Sequence, residues 1–163
     1  METLHLWAVA PAAIGTCCLA ADRARVRPPE VVASVLMLLA MLDAGLFGLV
    51  APVYWTALLT TAALALAAWR RPRQRRTPPV PTPMTLHTTL GLVIMAALQL
   101  AMGAHGSPTG HTHGVTLVPV LVVAVVGYAG LSVLTMHRMP ARLDRAQIGA
   151  MTASLVLMAV ATM

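Results

Sequence analysis

The sequence of 163 residues is poor in charge, in aromatic rings and in cysteine. Asp, Glu, Lys and Arg make up 10% of it, against roughly 25% in soluble domains, while 58% is apolar. A soluble fold has too little polar surface to cover that apolar content, which excludes the ordinary globular classes. Three Trp, two Tyr and one Phe leave the apolar content to Ala, Leu, Val and Met, the composition of lipid-facing helices. Mean hydropathy is +0.79. The two cysteines, Cys17 and Cys18, are adjacent, so their side chains diverge and do not meet disulfide geometry. They read as small buried apolar residues.

Lysine is absent: all 11 basic residues are Arg, and with five acidic residues the net charge is +6. The Arg residues form three short groups, namely Arg23, Arg25 and Arg27, then Arg70, Arg71, Arg73, Arg75 and Arg76, then Arg138, Arg142 and Arg145. Between them run long stretches almost free of charge. That is the pattern of cytoplasmic loops between membrane spans, not of a nucleic-acid-binding face. The Arg- and Pro-rich loop 70–83 reads as an extended topology anchor.

A span needs about 20 apolar residues at 1.5 Å of rise each. The segment from Val31 to Trp69 would be about 58 Å long as one helix, twice the hydrocarbon thickness, so it must fold back. Gly45, Gly48 and Pro52 supply the break, and Tyr54 and Trp55 stand where an interfacial aromatic belt would lie. The fold class predicted is therefore all-α, one integral membrane bundle of six helices with spans near 4–21, 31–49, 52–69, 84–104, 115–136 and 146–163. With six spans the three Arg loops (22–30, 70–83 and 137–145) share one face. The positive-inside rule then puts both termini on the non-cytoplasmic side of the plasma membrane. The first span is preceded by Glu2 and followed by Arg23, the reverse of a signal peptide's polarity, and reads as uncleaved.

Polar groups inside spans are costly and point to function. Asp43 is the only acidic residue well inside one. In the fourth span His87, Gly91, Met95, Leu98, Met102 and His105 follow at steps of three or four and form one stripe. The loop beyond it continues with His111-Thr-His113. The second span carries Ser34, Met37, Met41, Gly45 and Gly48 on one face; the sixth carries Gln147, Met151, Ser154 and Met158. Thioethers and imidazoles suit Cu(I), so a copper ion is the expected cofactor, with His105, His111, His113, Met102, Met95, His87, Met41 and Met37 as candidate ligands. The competing reading of the same Met and Gly stripes is close helix packing.

The Arg-only loops, the six short spans and the His/Met-bearing second and fourth helices resemble a group of small polytopic membrane proteins of high-GC actinobacteria with no assigned activity. That group carries a His-x-x-Met-x-x-x-Met pattern in a span; here Ser34, Met37 and Met41 occupy it, with Ser34 in the place of the histidine. The resemblance implies a membrane location and no particular activity.

Three function classes follow from the residues. The first is binding or passage of a soft metal through an outer His loop and the His/Met stripe. The second is a non-catalytic accessory or scaffold subunit, with a membrane-protein partner or a second copy beside the lipid bilayer. The third, an intramembrane enzyme or proton carrier using Asp43, ranks last. The chain has no His-Glu-x-x-His, Gly-x-Ser-x-Gly or Cys-x-x-Cys and no second membrane carboxylate, so it is not expected to be an enzyme.

Overall fold

The computed structural model describes residues 2–21, 28–73, 82–105 and 114–162, and every regular element among them is helical. The helices are α1 (Glu2–Ala21), α2 (Pro28–Leu42), a π-helical turn (Asp43–Phe47), α3 (Pro52–Arg73), α4 (Thr82–His105), α5 (Gly114–Arg138) and α6 (Arg142–Thr162). Five segments are long and apolar enough to cross a membrane: Pro28–Phe47, Pro52–Trp69, Met84–Gly103, Val118–Arg138 and Arg142–Thr162. In α1 the apolar stretch is shorter, Trp7–Cys18.

The break in the long apolar segment falls where glycine and proline predict it. Helix α2 widens into the π-helical turn, Gly48 closes it at φ 58°, and its N–H donates to the Asp43 carbonyl five residues back. A side chain would strain that left-handed backbone; glycine does not. Pro52, whose missing N–H is no loss in a first turn, then opens α3. The start of α2 differs from expectation. The helix begins at Pro28 rather than Val31, which takes Glu30 out of the basic loop and into the fold, where it is buried.

Helix α4 is the hub and packs against α2, α3, α5 and α6, while α1 lies against α6 and α2. Individual contacts fix the directions. Thr56 donates to the Ala96 carbonyl at 3.2 Å, and Gly103 closes on Pro52, so α3 runs antiparallel to α4. Against α2, Thr85 donates to Glu30 at 2.9 Å and Gln99 to the Ala40 carbonyl at 3.3 Å, so those two helices are parallel. His87 meets Thr152, and Gly91 lies against Leu155, so α6 is parallel to α4 as well. Helices α2, α4 and α6 thus all start at one end, the end whose links carry the Arg groups.

The outward faces are apolar. Val120, Val123 and Val126 on α5 are about two-thirds exposed, and Leu64 and Trp69 on α3 similarly so. A bundle in water would expose polar side chains there; one in hydrocarbon exposes these. Cys18 is half-buried, whereas Cys17 points outward and is exposed, which corrects the reading of both as buried.

Candidate functional site

Three polar or soft groupings are built into this framework. The first is at the π-helical turn. Asp43 is buried, and both of its oxygens accept hydrogen bonds: Oδ1 from the Leu49 N–H at 2.9 Å, Oδ2 from the Val50 N–H at 3.1 Å and from Trp55 Nε1 at 2.6 Å. The donors include two backbone groups at the chain reversal that no helix would satisfy, so the carboxylate closes the turn as a cap. Trp55 serves as its donor besides lying near the span's end. Asp43 is thus engaged by its own hairpin.

The second grouping surrounds His87, buried among α4, α5 and α6. Its Nε2 lies 2.8 Å from Ser132 Oγ and 3.5 Å from Thr152 Oγ1; its Nδ1 lies 3.1 Å from the Tyr128 hydroxyl. Ser132 and Thr152 each also reach a helix carbonyl, that of Tyr128 at 2.7 Å and that of Ile148 at 2.8 Å. With those protons on the carbonyls, the ring donates from Nε2 and accepts from Tyr128 at Nδ1. The rings pack with centroids 4.5 Å apart. Gly91, one turn along α4, makes room for the phenol, since a Cβ there would stand 3.0 Å from its oxygen. Both nitrogens of His87 are thus engaged by hydroxyls, a role in joining three helices rather than an open ligand position.

The third grouping is the thioether core. Met37, Met41, Met95, Met151 and Met158 are all buried in one apolar cluster. Cross-helix contacts set their heights. Met37 and Met41 flank Ala40, whose carbonyl holds Gln99, and Met95 lies one turn from Gln99 toward the basic end. On α6, Leu155 faces Gly91; Met158, three residues on, comes level with Met95, four residues past Gly91. Four methionines from three parallel helices therefore share about one helical turn of height, with Met151 two turns from Met158 toward the basic end. Met102 is half-buried at the edge of the same cluster.

Of the expected ligands, Met37, Met41 and Met95 lie in one buried cluster at about one height, His87 is turned to α5 and α6, and Met102 lies at the margin. His105 ends α4, but its side chain, like all of His111 and His113, lies outside the described residues. Among the described residues no three His, Cys, Asp or Glu side chains gather where they could hold an ion. Helical spacing puts Met158 on the inner stripe of α6, though not among the expected ligands, and it does not reveal the partners of His87; the spacing of Tyr128 and Ser132, one turn apart, is the available signal for these.

No protein-family model matches this chain, and neither a curated protein nor a solved structure shows similarity to it.

Proposed function

We propose that the chain is a six-span plasma-membrane protein that binds a soft monovalent cation, copper(I), in its interior. The observation that carries this reading is that Met37, Met41, Met95 and Met158 are all buried in one cluster at about the same height along the bundle. Thioethers select Cu(I) over the hard cations of the cell. The three Arg-bearing links at one end support an orientation with that end in the cytoplasm and both termini outside. The link from His105 to His113 is then on the outer side, where its imidazoles make the first capture before the ion passes to the thioethers. The protein is not an enzyme on this reading.

The test is metal content after purification in mild detergent from copper-supplied cells, repeated with Ag(I), which stays monovalent in air. Near-stoichiometric metal is expected in the wild type. Replacing Met37, Met41, Met95 and Met158 by leucine keeps the volume and the fold but removes the sulfur, and should lower retention at least tenfold. Replacing His105, His111 and His113 should slow loading without abolishing retention. A metal-free wild type, or full retention in the leucine variant, overturns the reading.

One observation favours a second reading, an accessory subunit. Gly127 and Gly130 on α5 have open space before them, which permits close approach of a partner helix. Leucine at both positions should then strip a co-purifying partner; an unchanged complex argues against it.

A further inference from the structure

Buried hydroxyls in this bundle follow one rule with one exception. Thr88, Ser132, Thr135 and Ser154 each donate to the carbonyl four residues back, at 2.7 to 3.1 Å. Ser34 is fully buried, yet its Oγ has no hydrogen-bond partner and is the sole such buried side-chain atom among the described residues. Alanine would fold at least as well there, because an unsatisfied buried hydroxyl is a net loss to the folded state. No bond within the fold accounts for the hydroxyl as it stands.

Its place indicates what would. Ser34 lies on the face of α2 that carries Glu30, Met37 and Met41, one turn from Met37 toward the basic end. On α6 the same sequence of chemistry recurs, with Ser154 one turn from Met158 and Gln147 further toward the basic end, all buried. Toward the basic end the buried groups include Glu30 with Thr85, and Gln147, beside the apolar cluster of Met84, Met139 and Ile148. On α2, Ser34 is the first polar side chain past Met37 toward the basic end.

We propose that Ser34 Oγ is the oxygen ligand that receives the soft cation as it leaves Met37, the first step of an exit toward the basic end. This rests on the copper(I) reading and deepens it from binding to directed passage. A hydroxyl oxygen is a poor ligand for a soft ion beside a thioether. Ser34 therefore contributes little to the resting affinity and acts on the rate of exchange: as one sulfur lets go, the oxygen replaces it, and the ion is not left without a donor in an apolar core.

The experiment measures Ag(I) affinity and the rate of Ag(I) release to a soluble thiol chelator for the wild type, Ser34→Ala and Ser34→Thr, with thermal unfolding of each metal-free protein. Ser34→Ala should unfold no earlier than the wild type and keep its affinity within about threefold, while release slows at least tenfold; Ser34→Thr, which retains the hydroxyl, should release near the wild-type rate. Unchanged release in Ser34→Ala, with wild-type binding intact, overturns this proposal and leaves the thioether site standing. A tenfold loss of affinity in Ser34→Ala also overturns it, since the oxygen would then belong to the resting site. If the wild type binds no Ag(I), the copper(I) reading itself fails and this step falls with it. Should Ser34→Ala unfold earlier than the wild type, Ser34 has a folding role and the inference is wrong.

Discussion

Asp43 and His87 are both ionisable side chains buried in apolar helices, and they are satisfied in opposite ways. Asp43 collects its donors within 12 residues of itself, from the turn it closes and the helix that follows. His87 collects its partners from α5 and α6, 41 to 65 residues away. The first arrangement forms with its own hairpin. The second exists only when three helices have met, so it reports on the assembled bundle and adds to its cooperativity. A membrane protein thus uses buried polarity both to shape a local reversal and to fix which helices are neighbours.

Substitutions separate the two roles. The largest loss is expected for His87→Ala, which leaves three hydroxyls around a cavity and should lower stability by about 2–4 kcal/mol, read as an earlier thermal midpoint in detergent. Next comes Gly91→Ala: its Cβ pushes on the Tyr128 oxygen and through it on His87, at a cost of about 1–3 kcal/mol. Tyr128→Phe should relieve part of that clash, so the double variant should lose less than the two single changes added together. Equal additivity would mean that Gly91 does not act through the phenol. The smallest global effect is expected for Asp43→Asn. It should leave the midpoint closer to the wild type than His87→Ala does, while deuterium uptake rises over residues 43–55 alone. A midpoint lowered as far as in His87→Ala would erase the distinction between a local cap and a tertiary joint.

The difference between the two also explains what could be read from the sequence. The hairpin break is written in neighbouring residues, Gly45, Gly48 and Pro52, and an unpaired charge beside them marks Asp43 as involved. The interior faces of α2 and α4 follow from helical spacing, so Met37, Met41 and Met95 were legible as inward-facing. What spacing cannot supply is the angle at which one helix meets another. Tyr128, Ser132 and Thr152 are ordinary residues of α5 and α6 until the packing brings them to His87. Glu30 was hidden for another reason: it sits among arginines and prolines that look like a loop, although Pro28 and Pro29 occupy positions where a helix tolerates them.

The wide turn from Asp43 to Phe47 has a consequence for the molecule's tolerance of insertions and deletions. A π-helical turn holds one residue more than the α-helical turn it replaces. Removing that extra residue would restore regular winding and leave Met37 and Met41 on their own face, because the wide turn had taken up the surplus. What the deletion shortens is the reach from Asp43 to Leu49, Val50 and Trp55, so the carboxylate would lose its donors while α2 kept its phase. A one-residue deletion at this turn should therefore loosen the hairpin and leave the packing of α2 in place.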